Sequence, residues 1–193
     1  QKLLVIGKKE KYDYIIHVSS VGELNSINFL INKISKNKKI LITCSTLSAY
    51  KLAINKFNQY KIRYLTYDFY PLVSIFLSKY KTYKFIWIDS EIWPNYLYSL
   101  KSKKIETYLV NARISEKSFR RWKLASFFIK DLGSIYKTVY ASSLVDKNRF
   151  EILLKREVFF SGNLKFFQKL NIKKNKNKNL CFASIHLSEY KDI

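Results

Sequence analysis

The chain has 193 residues, and its 48% of hydrophobic residues supports a packed core and excludes an intrinsically disordered protein. Its 36 Lys and Arg against 14 Asp and Glu leave a formal charge of +22, which favours a polyanionic partner such as nucleic acid or a membrane surface. A compositional bias that inflates Lys, Asn, Ile and Tyr together, as in AT-rich genomes, explains the charge equally well. No apolar run reaches the roughly 18 residues that a membrane-spanning helix requires.

Strand-like and helix-like runs alternate along the chain, and this alternation predicts an α/β fold with a doubly wound parallel sheet. The predicted strands are 13–18, 39–44, 62–67, 84–89, 106–110, 138–141 and 157–160. The predicted helices are 22–35, 46–57, 71–80, 94–102, 116–130 and 143–154.

A polar, Lys- and Asn-rich run follows these elements, and it predicts a linker at 167–178 between a first domain, 1–166, and a segment 179–193 that begins a second domain. The sequence contains no Met, so we expect it to be a fragment of a longer product. Cys44 and Cys181 stand alone in apolar runs, which predicts buried free thiols and a reducing compartment.

Signatures of several enzyme classes are missing. The sequence has no GxGxxG, no GxxxxGK and no GxSxG motif, so dinucleotide-binding, P-loop and α/β-hydrolase functions lose support. It has neither a DxD pair nor enough histidines for a zinc site, which favours metal-free chemistry.

Polar clusters stand where the predicted strands end, so all of them border one crevice of the sheet. They are "HVSSVGE" (17–23), "TCSTLSA" (43–49), "YDFYP" (67–71), "IDSEIWPN" (88–95), "VNARISEKS" (110–118) and "SGNLKF" (161–166). Purely structural roles are also available: Ser45 and Ser115 as helix caps, Asp68 as a turn residue, Trp93 as core and Asn111 as a backbone tether.

Glu23 follows Gly22 at a switch from strand-like to helix-like spacing. It is either a favourable charge at a helix N-terminus or a carboxylate that faces a substrate. Gly22 is expected to let the backbone turn tightly and approach a ligand closely.

In chain order the clusters resemble the 3-deoxy-D-manno-octulosonic acid (Kdo) transferases of Gram-negative lipopolysaccharide synthesis. The matching elements are "HVSSVGE", "TCSTLSA", "YDFYPLVSIFL", "DSEIWPN", "VNARISEKSFRRW", "ASSLVDKNRF" and "GNLKF". They run in register from about residue 13 to 166, and the SVGE, SEIWPN and NARISEKS elements together are specific.

The resemblance implies a two-domain GT-B glycosyltransferase whose Rossmann-like N-terminal domain, residues 1–166 here, receives a lipid A precursor. The second domain would bind CMP-Kdo, the donor substrate, and no cofactor is implied. Transfer would invert the anomeric carbon without a metal. Because the motifs that hold the CMP group are expected beyond Ile193, the 193-residue chain alone should be inactive.

The resemblance and the chemistry of sugar transfer both point to Glu23 as the general base. The expected acceptor-binding or supporting residues are Ser20, Gly22, Thr46, Glu91, Asn111, Arg113 and Lys165. Glu91 could equally serve only as the ion-pair partner of Arg113. Arg113 and Lys165 could hold phosphate on the lipid acceptor or on the donor.

On the donor side, "SIHLSE" resembles a family element, which makes Ser184, His186 and Glu189 candidates. Three positions depart from the family pattern: Asp89 replaces a Glu, and Ile185 and Ser188 replace Thr and Gly.

The resemblance places the protein at the cytoplasmic face of the bacterial inner membrane, either as a peripheral protein or held by the family's apolar N-terminal anchor, which would precede Gln1. An anionic membrane surface is the expected partner of Lys8, Lys9, Lys11 and of "FRRWK", 119–123.

Two other functions stay open. A GT-B enzyme with a different nucleotide-sugar donor is one, because a fold does not fix a substrate. A nucleic-acid-binding module is the weaker one, because the aromatic residues lie within apolar runs and the lysines are scattered. We therefore expect no nucleic acid partner.

Overall fold

The computed structural model describes residues 8–34, 37–89 and 92–167. Seven parallel strands form one sheet in the order β3-β2-β1-β4-β5-β6-β7. The strands are β1 Glu10–Val18, β2 Ile40–Cys44, β3 Lys61–Tyr64, β4 Tyr80–Ile88, β5 Glu106–Ala112, β6 Tyr136–Ala141 and β7 Phe159–Phe160. The predicted Rossmann-like, doubly wound α/β fold is confirmed.

Eight α-helices and a short 3-10 helix connect or follow the strands in the described part of the chain. They are α1 Val21–Ser26, α2 Asn28–Ile34, α3 Leu47–Lys56, α4 Tyr70–Lys79, α5 Pro94–Ser102, α6 Glu116–Leu124, α7 Ser126–Ile135, α8 Leu144–Leu154 and the 3-10 helix Leu164–Phe167.

Two hydrophobic cores lie on opposite faces of the sheet, because successive strand residues point to opposite faces. Ile15 of β1 and Phe85 of β4 contribute to the core beneath α4, α5, α7 and α8. Ile16 and Ile86, their next neighbours, contribute to the core beneath α1, α2 and α3. Strands buried on both faces read as continuous apolar runs, as "IIHV" and "FIWI" do.

The order of the strands reverses between β1 and β4, which pair in parallel from Glu10–Tyr80 to His17–Trp87. The chain leaves the carboxyl ends of these two neighbours towards opposite faces, through α1 and α5. A crevice at the carboxyl ends of the strands is the expected ligand site of such a sheet.

Two helices predicted as continuous are broken. In the segment 22–35 the break falls at Ile27, where the Ser26 hydroxyl donates to the Glu23 carbonyl at 2.7 Å and weakens the regular helical pattern. In the segment 116–130 it falls at Ala125, whose φ of −102° and ψ of 40° end α6 and begin α7.

Phe167, the first residue of the predicted linker, ends the 3-10 helix. Residues 168–193 lie outside the described residues. The predicted linker and second domain, with Cys181, therefore remain predictions. Cys44 is a buried free thiol, as predicted, and its burial together with the charge of Glu23 raises its pKa to about 12.

Candidate functional site

Glu23 lies in the first turn of α1, at the carboxyl end of β1. Its Oε2 accepts the Ser19 backbone N–H at 2.7 Å and its Oε1 accepts the Ser20 hydroxyl at 2.9 Å. Ser20 is the N-cap of α1, and its hydroxyl oxygen in turn accepts the Glu23 N–H. Two donors and the helix N-terminus fix the position of the carboxylate and favour its ionised form.

Gly22 is helical, so the prediction that it makes a tight turn is wrong. In the described residues the glycine with positive φ is Gly162, at 76°. A Cβ atom added at Gly22 would lie 3.8 Å from Ser20 Oγ and 3.9 Å from Lys165 Nζ, which are ordinary contacts. An alanine side chain would therefore fit at Gly22 between Ser20 and Lys165.

Behind Glu23, the fully buried His17 organises a chain of hydroxyl groups. His17 Nδ1 lies 3.0 Å from Thr43 Oγ1, and Nε2 lies 3.1 Å from Ser45 Oγ and 3.3 Å from Ser19 Oγ. The Thr43 hydroxyl also lies 3.4 Å from the Ile16 carbonyl, to which it can donate, and this arrangement suits the tautomer of His17 that carries its proton on Nδ1. This network holds the Ser19 loop, whose amide binds Glu23.

The prediction that Ser45 caps a helix is wrong, because Ser45 faces His17. Thr46 is the N-cap of α3: its hydroxyl oxygen accepts the Ala49 N–H, and its proton goes to the Ser19 carbonyl at 2.9 Å. Thr46 thus ties the β2 loop to the loop that positions Glu23.

Lys165 reaches this site from the far end of the sequence. The buried Asn111, at the end of β5, accepts the Leu164 backbone N–H at 3.0 Å and so anchors the 3-10 helix beside α1. Asn111 therefore is the backbone tether that was considered, and its φ of 58° suits Asn.

Asp89, at the end of β4, faces Arg113, with 3.8 Å between Oδ2 and the guanidinium. Its backbone has a positive φ of 72°, and its buried Oδ1 has no hydrogen-bond partner among the described residues. Burial raises the pKa of Asp89, although the charges of Arg113 and Lys165 lower it. Glu91 lies outside the described residues, so its predicted role is untested.

Next to Arg113 lies a pocket of about 240 Å³, between α6 and the end of β5. Arg113 and Arg121 provide two guanidinium groups, while Ser115 and Ser118 provide hydroxyls. Ser115 is the N-cap of α6, as predicted, and accepts the Ser118 N–H. The rest of the lining is mostly apolar and consists of Ile92, Ile114, Trp122 and Phe150.

Two further carboxylates brace these loops. Asp68 accepts the N–H groups of Asn95 and Tyr96, so it caps α5 from the β3 loop and is more than a turn residue. Asp146 accepts the Ile114 N–H and the hydroxyls of Ser142 and Ser143. Trp93, predicted as core, is half-buried and packs against the core, with its ring 5.7 Å from that of His17.

The junction of α6 and α7 exposes two apolar side chains, Leu124 at 91% and Phe127 at 89% of their full surface. The exposed cationic side chains of these two helices are Lys117, Arg120, Arg121, Lys123 and Lys130, of which Arg120 pairs with Glu116. Phe119 and Trp122, which were expected to face a membrane, instead pack against the core. We call Leu124, Phe127 and these cations the α6–α7 patch.

A family model described as "3-Deoxy-D-manno-octulosonic-acid transferase (kdotransferase)" matches residues 1–168. The chain belongs to the Kdo transferase family. It is 32% identical over 186 residues to the 3-deoxy-D-manno-octulosonic acid transferase of Rickettsia typhi, covering 89% of this chain and 40% of that protein. The corresponding Rickettsia prowazekii enzyme is 30% identical, with the same coverage.

Another relative in the comparison is the "Bifunctional glycosyltransferase/methyltransferase" of Fusobacterium nucleatum, 32% identical over 193 residues. That match covers 96% of this chain and 27% of that protein. The chain thus spans less than half the length of each of these three relatives.

Of the predicted site residues, Ser20, Gly22, Glu23 and Lys165 lie close together, and Thr46 is bonded to the neighbouring Ser19. Asn111 and Arg113 lie at the carboxyl end of β5. The donor-side candidates Ser184, His186 and Glu189 lie outside the described residues. Within 8–34, 37–89 and 92–167, no helix is long and apolar enough to cross a membrane, and no three His, Cys, Asp or Glu side chains gather as a metal site.

Proposed function

We propose that this chain is the acceptor-binding domain of a transferase that moves Kdo from CMP-Kdo to a lipid A precursor. The observation that carries the proposal is the Glu23 carboxylate, held at the carboxyl end of β1 by Ser19 and Ser20. Membership of the Kdo transferase family supports the reaction class. CMP-Kdo would bind in a second domain, and no cofactor or metal is invoked.

Glu23 is the general base of the proposed reaction. The acceptor hydroxyl gives its proton to the carboxylate while its oxygen attacks the anomeric carbon of Kdo. The bond from that carbon to the phosphate oxygen breaks, CMP leaves with the bonding electron pair, and the attack from the opposite side inverts the centre. A positioned carboxylate contributes about 10²–10⁴-fold in such a step.

The pocket beside α6 is the proposed seat for an anionic group of the acceptor. Arg113 and Arg121 offer donors that suit phosphate, and the apolar lining around Ile92 and Trp122 suits the lipid portion. Lys165, which lies beside Gly22 and acts electrostatically on Asp89, adds a further positive charge. Asp89 holds Arg113 and is the proposed counterpart of the Glu expected at that position.

The α6–α7 patch is the proposed contact with the membrane that carries the acceptor, at the cytoplasmic face of the bacterial inner membrane. Leu124 and Phe127 would enter the interface while the surrounding cations meet anionic headgroups, at about 1 kcal/mol per cation near the surface. Lys9 and Lys11, the other basic residues expected to meet a membrane, lie at the amino end of β1 and line a different pocket.

The experiment is a donor comparison with the natural, complete protein and a defined lipid A precursor. Incubation with CMP-Kdo is expected to give a product heavier by one or more Kdo residues in mass spectrometry, without added metal and in the presence of a chelator. UDP-glucose and GDP-mannose serve as control donors. Transfer from either of them but not from CMP-Kdo would favour the second candidate, a GT-B enzyme with another donor.

A further inference from the structure

A second pocket, of about 560 Å³, opens at the amino ends of β1 and β4, the edge of the sheet opposite Glu23. Its volume is in the range of small-molecule sites. None of its described lining residues is acidic. Five of them are lysines: Lys9, Lys11, Lys81, Lys103 and Lys104.

The positive charge of this pocket is not neutralised by the described part of the protein. None of the five ammonium groups is in an ion pair with a described carboxylate. Glu10, the acidic residue at the start of β1, accepts the Tyr12 hydroxyl and pairs with Lys61 instead. Five uncompensated cations around one cavity produce a strong local attraction for anions.

The strand register brings two of these cations together. Lys11 of β1 and Lys81 of β4 are directly paired neighbours, so their side chains leave the same face of the sheet. Like charges at neighbouring positions of adjacent strands repel each other, and the repulsion between exposed side chains is strongest at low salt. A bound polyanion would remove that repulsion, which distinguishes this cluster from lysines scattered over a solvated surface.

Aromatic and apolar groups complete the pocket. Lys11 Nζ lies 4.7 Å from the ring centroid of Tyr83, whose side chain is exposed. The Tyr83 ring and the side chain of Ile105 therefore offer a surface for an uncharged part of a ligand, beside the ammonium groups.

We propose that this pocket binds a small molecule that carries several phosphate charges, at a site separate from the transfer site. The phosphates could belong to a soluble compound or to a lipid headgroup, and both would engage the same ammonium groups. The inference goes beyond the proposed function and does not depend on it, because the two sites lie at opposite edges of the sheet.

Isothermal titration of the purified protein with inorganic tripolyphosphate tests the proposal. Lys11→Gln combined with Lys81→Gln is expected to weaken binding roughly tenfold or more, since two charge-assisted contacts are lost. The matched control, Lys38→Gln with Lys51→Gln, removes the same charge from exposed positions elsewhere and is expected to bind as the parent does. Equal weakening in both variants, or binding unchanged by Lys11→Gln and Lys81→Gln, would overturn the proposal.

Two additional measurements sharpen the result. Vesicles of cardiolipin, whose headgroup carries two phosphates, identify the source: if the pocket variant loses vesicle binding as well as tripolyphosphate binding, the ligand is a headgroup, whereas loss of tripolyphosphate binding alone indicates a soluble compound. Without ligand, Lys81→Gln is expected to raise the thermal midpoint by relieving the repulsion from Lys11. A lowered midpoint would contradict the strained charge cluster on which the proposal rests.

Discussion

The Asn111 side chain accepts the backbone N–H of Leu164 at 3.0 Å, although 53 positions separate the two residues in the sequence. This bond fixes the start of the 3-10 helix at the end of β5, and Lys165 is the next residue along it. The Lys165 ammonium group, which follows the last strand in the chain, thereby lies beside Gly22 and Glu23, which follow the first strand. Asn111 thus positions Lys165 without lying beside Glu23 itself.

Replacing Asn111 is expected to cost stability. Asn111→Ala leaves the buried Leu164 amide without its acceptor and puts Ala at a φ of 58°, so we expect unfolding free energy to fall by about 1–3 kcal/mol in urea titrations. Asn111→Asp keeps both the acceptor oxygen and a residue that tolerates positive φ. It is the matched control, and a loss as large as that of Ala would refute the tether.

The two helical glycines are expected to differ sharply. A Cβ atom at Gly133 would lie 2.4 Å from Leu154 Cδ2 and 3.1 Å from its Cβ, so Gly133→Ala forces α7 and α8 apart. Overpacking of this kind costs about 1–3 kcal/mol. Gly22→Ala meets no such contact and should leave stability within about 1 kcal/mol of the parent. Thermal unfolding of both variants checks the contrast, and equal destabilisation would contradict it.

Asp89 should give the stability a characteristic pH dependence. Because burial raises its pKa above 3.8 in the folded state, the folded protein holds this proton more tightly than the unfolded chain does. The stabilisation that comes from this tighter proton binding is fully present below pH 3.8, and it is lost as the pH rises through the raised pKa of Asp89. The stability of the parent relative to Asp89→Asn should therefore fall with rising pH across that window.

Arg113→Gln provides the control for this titration. Removing the cation that lowers the pKa of Asp89 should move the same loss of stability to higher pH. Denaturant midpoints measured at a series of pH values would show it. A window that shifts to lower pH in Arg113→Gln would mean that Arg113 does not stabilise the ionised carboxylate.

Membrane binding should depend on Leu124 and Phe127. Leu124→Ser with Phe127→Ser is expected to reduce co-sedimentation with anionic vesicles severalfold, while the parent releases vesicles as salt is added. Leu47→Ser with Ile54→Ser changes two exposed apolar residues of α3 and serves as the control. If only the α3 variant loses binding, the membrane surface lies on α3.

Much of the fold could be predicted because its signals are local. Helix α5 begins at Pro94 and ends at Ser102, as its sequence indicates. The start of β4 was placed at 84, whereas it lies at Tyr80, because the exposed "KTYK" segment is polar and does not read as a buried strand. The break at Ala125 was missed because it depends on backbone dihedral angles with no Gly or Pro to signal them.

The candidate site was only partly predictable for a different reason. Glu23 stands next to its own partners, Ser19 and Ser20, so the sequence around it was informative. The buried network of His17 with Ser45 depends on β1 lying beside β2, and a lone His gives no sign of such partners. Asp89 was noted only as a departure, and its pairing with Arg113 requires the neighbouring strand ends.

Replacing Glu23 by Gln probes the proposed general base itself, because only Glu can take the proton from the acceptor hydroxyl. The Gln side chain keeps the size and one acceptor oxygen, so the natural, complete protein should fold with an unchanged circular dichroism spectrum and still bind the acceptor. Kdo transfer from CMP-Kdo is expected to fall by about 10²–10⁴-fold. Transfer at a near-parental rate by a folded Glu23→Gln protein would contradict the account.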